Sequence, residues 1–145
     1  MIVYLDASAL VKRYVAETGS AEVLELIGKA EAVGTVVISR AEVAAALAKA
    51  SSIQVLPRDE AVSAFKVFNR DWENLVRLRM TEGLVSRAAS LAWEYGLRGY
   101  DAVHLASALF WQDMLGAAIT VASYDRQLWE AVKANGLIAW PESLP

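Results

Sequence analysis

Short runs of β-branched and other apolar residues, bounded by polar or glycine positions, recur at Ile2–Leu5, Thr35–Ile38, Leu75–Leu78 and Ile119–Val121, with a weaker run at Leu137–Trp140. Runs of this length and composition predict strands. Between them, apolar positions recur with helical spacing, predicting helices over Ser8–Val15, Ser20–Ala30, Arg40–Ala50, Arg58–Trp72, Glu82–Tyr95, Ala102–Leu115 and Arg126–Asn135. Strands alternating with helices predict an α/β fold, a parallel sheet covered on both faces.

Most of these helices carry an ordinary core stripe, such as Phe65, Phe68 and Trp72, or Leu84, Ala88, Leu91 and Tyr95. Ala102–Leu115 differs, because Val103, Leu105, Ala106, Leu109, Phe110, Trp111 and Met114 point in every direction. A helix apolar all round is either central to a core or pressed against another subunit. No linker, repeat or low-complexity tract interrupts the pattern, and Pro57, Pro141 and Pro145 fall at expected element boundaries, so residues 1–145 read as one domain. The N-terminal run meets Asp6 too early for a signal peptide, and Gln112 and Asp113 stop the longest apolar stretch short of a membrane span. The expectation is a cytoplasmic protein with no membrane segment.

Composition narrows the chemistry. There is no cysteine, which excludes disulfides, thiol nucleophiles and cysteine zinc sites, and His104 is the single histidine, which excludes multi-histidine metal sites. Against 14 basic residues stand 17 acidic ones, a net charge of −3. Four of the acids fall at element junctions: Asp6 ends the first strand, Glu42 lies just past the second, Asp101 opens the apolar helix, and Asp125 follows the fourth strand. In a parallel sheet Asp6 and Asp125 project from the carboxyl edge, where open α/β sheets bind ligands. Singly, each is well explained as a helix cap or a first-turn acid. Jointly, four carboxylates on one edge would repel, and a hard divalent cation relieves that repulsion. Carboxylate oxygens without histidine or cysteine suit Mg²⁺ or Mn²⁺, whose remaining positions take water and phosphate oxygens, a combination fitted to phosphodiester hydrolysis. Setting the four aside leaves 17 − 4 = 13 acidic against 14 basic residues, a near-neutral remainder around one acidic pocket.

The segments Asp6-Ala-Ser-Ala-Leu-Val-Lys-Arg-Tyr14, Ser39-Arg-Ala-Glu42-Val-Ala-Ala-Ala-Leu47, Gly99-Tyr-Asp101-Ala-Val-His-Leu-Ala-Ser-Ala108 and Ser123-Tyr-Asp125-Arg-Gln-Leu128 resemble, in order, the signature stretches of PIN-domain ribonucleases of the VapC toxin type. The resemblance runs from Ile2 to Gly136. It implies a three-layer α/β/α sandwich whose five-stranded parallel sheet has its first strand central, beside the fourth. It further implies a Mg²⁺- or Mn²⁺-dependent endoribonuclease with an RNA substrate, a VapB-like antitoxin partner and a homodimeric state. By position, Asp6 and Asp101 look like direct metal ligands, and Glu42 and Asp125 like direct or water-mediated ones. Ser8 then looks like a hydrogen-bond partner that orients Asp6, with Ser123 doing the same for Asp125. Where some members carry a further acid after the fourth, Arg126 and Gln127 follow here, which implies one metal at rest and a second arriving with RNA.

His104, among Val103, Leu105 and Ala106, is expected to be a buried histidine bonded to backbone or to a neighbouring helix, not a general base. Lys12, Arg13 and Arg40 are candidate RNA phosphate contacts, equally readable as a solvated surface. Gly96-Leu-Arg-Gly99 is expected to end a helix and not to clamp a nucleic-acid backbone. Most of the five tryptophans sit in apolar stripes and read as core or interface. Two rivals to the nuclease reading stand: another Mg²⁺-dependent phosphohydrolase or an aspartate-phosphorylated receiver, and a non-catalytic PIN module that only binds RNA or a protein.

Overall fold

A computed structural model describes residues 1–145. Its strands are β1 (Ile2–Leu5), β2 (Ala32–Val36), β3 (Val76–Leu78), β4 (Ile119–Ala122) and β5 (Ile138–Trp140). They form one parallel sheet in the order β3-β2-β1-β4-β5, with β1 at the centre. The helices are α1 (Ala7–Leu10), continued by a 3-10 turn over Val11–Arg13, α2 (Ser20–Lys29), α3 (Ser39–Ser52), α4 (Arg58–Asp71), α5 (Glu82–Tyr95), α6 (Gly99–Leu115) and α7 (Arg126–Ala134). The chain therefore has the expected fold, helices on both faces of a five-stranded parallel sheet.

Alternation along β1 sorts the two faces. Val3 and Leu5 point to the side of α1, α3 and α4, joining Leu10, Val43, Leu47, Phe68 and Trp72. Tyr4 points to the other side, joining Leu91, Leu105, Leu109 and Leu128 of α5, α6 and α7. Helix α6 lies in the centre of this second core. Every residue from Ala102 to Leu109 is buried, so its all-round apolarity is used within the chain. Its last turns expose Phe110, Met114 and Leu115, and its first turn exposes Tyr100.

The largest boundary difference is in β2. The apolar run Thr35–Ile38 predicts a strand that in fact starts at Ala32 and ends at Val36, with Val37 and Ile38 turning into α3. Gly34 hides the start, since glycine interrupts an apolar run. Its presence has a packing cause: a Cβ there would sit 2.7 Å from the Trp111 ring of α6. α1 is also shorter than predicted, ending at Leu10, where the chain tightens into the 3-10 turn. α6 starts at Gly99, three residues before its predicted start. No helix is long and apolar enough to cross a membrane.

Candidate active site

Asp6 and Asp125 occupy the loops that leave neighbouring strands β1 and β4, and each caps the helix that follows. Asp6 Oδ1 accepts from the Ala9 amide at 2.8 Å, and Asp125 Oδ1 accepts from the Leu128 amide at 3.0 Å. Capping and a site role do not compete here, because a carboxylate has a second oxygen to offer. Asp6, only 2% exposed, spends it on the Ser123 hydroxyl, while Ser8 donates to Oδ1 at 2.7 Å. Ser123 thus orients Asp6 across the β1–β4 seam. Toward Asp125 it only accepts the backbone amide, at 3.1 Å, so the expectation that it would orient that carboxylate is corrected: its one proton goes to the more buried acid. The Ser8 oxygen also accepts from the Tyr124 amide, fastening the two loops together.

Asp101 and Asp125 are joined by Arg98. Its Nε donates to Asp101 Oδ2 at 3.0 Å and a terminal nitrogen donates to Asp125 Oδ2 at 2.7 Å. One guanidinium therefore spans the gap between the start of α6 and the loop after β4, placing both acids on the same sheet edge. Arg98 lies in the Gly96-Leu-Arg-Gly99 segment. Gly96, at φ +66°, ends α5 as expected, but the arginine was missed; the signal available was its i,i+3 spacing to Asp101 at a helix start.

Glu42, in the first turn of α3, meets His104 of α6, with Oε1 2.8 Å from Nε2. On the other side of the ring, Nδ1 lies 2.7 Å from the Tyr4 hydroxyl. His104 is buried and linked to a neighbouring helix, as expected, but both partners are side chains and none is backbone. Burial pushes the Tyr4 phenol far above its ordinary value, so it stays a neutral O–H. When that hydroxyl donates to Nδ1, the ring proton of a neutral imidazole sits on Nε2, where it donates to the Glu42 carboxylate. Tyr4 was not singled out from sequence; it reads there as an ordinary strand residue.

Electrostatically the edge is strained. Burial pushes the Asp6 carboxyl above the ordinary carboxylate value, opposed by the nearby His104 imidazole and by hydrogen bonds from Ser123, Ser8 and the Ala9 amide. Asp101 is raised first by burial and then by the charge of Asp125, with Arg98 pulling it back. The donors present suit a hard divalent cation. Both His104 nitrogens are engaged, leaving carboxylate oxygens as the available ligands, and the Asp101–Asp125 pair already draws a positive group between its members. No three acidic or histidine side chains converge into a ready cage. Such an open arrangement fits Mg²⁺, which is held by one or two carboxylates and completes its shell with water and phosphate oxygens.

The three candidate phosphate contacts diverge. Lys12 is tied to Glu17, to the Thr18 carbonyl and over the Tyr124 ring, and Arg13 lies 3.5 Å from Asp71. Arg40 forms no ion pair, reaching only Asn69 at 3.5 Å and lying over the Trp72 ring. The tryptophans divide as well: Trp72, Trp111 and Trp129 are buried, whereas Trp93 is 93% exposed.

Residues 3–134 match the PIN domain family. Two curated relatives from Mycobacterium tuberculosis, ribonucleases VapC45 (strain CDC 1551 / Oshkosh) and VapC49 (strain ATCC 25618 / H37Rv), are each 37% identical over 99% of this chain and 97% of their own length. Among solved structures, PAE2754 from Pyrobaculum aerophilum superposes with a TM-score of 0.67, at 22% identity over 96% of this chain and 89% of that one. VapBC2 from Rickettsia felis, bound to a DNA fragment from its promoter, gives 0.61 at 15% identity, over 96% of this chain and 97% of that one. With its parallel sheet and its acids at the carboxyl edge, the chain belongs to the PIN-domain family, among the VapC-type ribonucleases.

Proposed function

We propose that this chain is a Mg²⁺- or Mn²⁺-dependent endoribonuclease that hydrolyses RNA phosphodiesters, acting as the toxin of a VapBC-type toxin–antitoxin pair. The observation that carries the reading is the Asp101–Asp125 pair sharing one guanidinium at the carboxyl edge of the sheet, with the buried Asp6 leaving β1 on that same edge and both Asp6 and Asp101 held above the ordinary carboxylate value. Asp6 and Asp101 would hold the ion directly, and Glu42 and Asp125 directly or through water. When bound, a divalent ion there supplies an activated water and neutralises charge on the phosphate and the leaving oxygen.

The chain's own residues do the rest. Ser8, Ser123 and the Ala9 amide fix the Asp6 carboxylate in one orientation, so no rotamer search precedes binding. His104, anchored by Tyr4, fixes Glu42. Arg98 must release Asp101 and Asp125 for them to take another cation, and its exposed side chain can then follow the RNA phosphate.

The relatives named as VapC ribonucleases support the reaction, and the VapBC2 complex gives the antitoxin partner its precedent. A cytoplasmic homodimer belongs to the same reading; the exposed Phe110, Met114 and Leu115 of α6 offer apolar surface for it. The test is incubation of the purified chain with structured RNA under Mg²⁺, Mn²⁺ or EDTA. Internal cuts that need the metal are expected; cutting that continues in EDTA, or none under either metal, would overturn the proposal.

A further inference from the structure

Beside the acidic edge, Arg40, Arg77 and Arg79 line one surface depression of about 400 Å³ together with Val37 and Trp72. All three arginines are exposed, none forms an ion pair, and no acidic residue lines the depression. Three unneutralised guanidinium groups sharing one hollow repel one another, and an anion seated among them relieves that cost.

The placement points to the substrate strand. Continuing the β1–β2 and β2–β3 registers puts Asp6, Val36 and Leu78 at one level, with Arg77 one residue below and Arg79 one above, at the carboxyl edge. Arg77 and Arg79, two residues apart on a strand, share a sheet face. The separation from Asp6 is two strand spacings, about 10 Å. Arg40 shares the first turn of α3 with Glu42 but turns about 200° away from it, toward Trp72 and β3. Helix α3 thus offers a carboxylate to the acidic site and a guanidinium to the hollow. An edge strand often carries charge merely to block pairing, which accounts for Arg77. It does not account for Arg79, past the last paired residue, or for Arg40 on a helix.

We propose that Arg40, Arg77 and Arg79 form a phosphate-binding track for the single RNA strand flanking the scissile bond, leading away from the acidic site over the end of β3. The inference rests on the ribonuclease reading. It assigns the substrate backbone to the β3 side, away from Lys12 and Arg13, whose charges are spent on Glu17 and Asp71.

The experiment is fluorescence anisotropy of a labelled single-stranded RNA oligonucleotide with the full chain in EDTA, where binding is read without cutting, over a salt series. The triple variant Arg40→Gln/Arg77→Gln/Arg79→Gln should bind roughly tenfold or more weakly at about 0.1 M salt, and its log–log salt slope should fall by about 2. Arg→Lys at the same positions should restore most of the slope, because a phosphate contact needs the charge. Lys49→Gln/Lys66→Gln/Lys133→Gln removes equal charge elsewhere and should leave the slope near wild type. A triple Gln variant with wild-type melting and an unchanged slope would overturn the track, as would equal loss in the lysine control. Unchanged RNA binding with lost binding of an oligoglutamate peptide would assign the hollow to a protein partner, again overturning it. If the wild-type chain cuts RNA with metal while the variant binds normally, only the track fails; if the wild type neither binds nor cuts, the ribonuclease reading itself fails.

Discussion

Glu42 of α3 and His104 of α6 meet 2.8 Å apart, and the far side of the same imidazole is held by Tyr4 of the central strand. The relay reaches from buried core to site edge, so removing the ring disturbs both. His104→Phe should cost about 2 kcal/mol of stability by stranding the buried Tyr4 hydroxyl. It should also lower cleavage roughly 10- to 100-fold by freeing Glu42 to rotate. Tyr4→Phe acts only through the ring and should have the smaller effect on cleavage. Thermal melts and single-turnover rates check both, and a His104→Phe enzyme cutting at the wild-type rate would show that Glu42 needs no orientation.

Arg98 sits where a cation is wanted. It is 73% exposed at the side chain, so its two ion pairs add little to folding, but any metal at Asp101 and Asp125 must displace it. Arg98→Ala should bind Mn²⁺ several-fold more tightly in calorimetry, with melting nearly unchanged. Weaker Mn²⁺ binding by the variant would mean the arginine assists the metal.

Acid pH should stabilise the metal-free chain at this edge. Asp101 is raised in the folded state by burial and by Asp125. Below the ordinary carboxylate value it is protonated folded or unfolded, and no penalty exists. As pH climbs from that value through the raised folded one, the unfolded chain ionises first and stability falls. Asp101→Asn, which cannot ionise, should therefore melt higher than wild type at neutral pH in EDTA, with the gap closing in the acid range. A gap independent of pH would contradict this.

The contact between Gly34 and Trp111 is a test of the fold alone. Gly34→Ala puts a methyl group 2.7 Å from the indole ring and 3.1 Å from the Val76 carbonyl oxygen. Overpacking at a sheet–helix contact should cost about 1 to 3 kcal/mol. Denaturant unfolding measures it, and a pairing Trp111→Leu should recover part of the loss.

Much of this architecture is legible in the chain because strand runs and helical stripes coincide with turn residues, as at Thr81 and Gly96, which bound α5 at Glu82 and Tyr95. β2 was displaced because Gly34 answers to a tryptophan 77 residues away, a contact no local pattern carries. At the site, the four acids could be picked out because each falls at a junction. Which hydroxyl or cation serves which acid could not, since Ser123 reaches Asp6 across two strands and Arg98 bridges two loops. His104 shows the same division: its burial follows from its neighbours, whereas its link to Glu42 depends on how α3 and α6 approach.

The central claim is that the edge carboxylates do the cutting. Single-turnover cleavage of one RNA substrate at saturating Mn²⁺, by wild type and by Asp6→Asn, Glu42→Gln, Asp101→Asn and Asp125→Asn, each confirmed folded by melting, measures it. Asp6→Asn and Asp101→Asn are predicted to fall by about 10³-fold or more and the other two by less, on the scale of lost electrostatic stabilisation. Wild-type rates in Asp6→Asn and Asp101→Asn would contradict it.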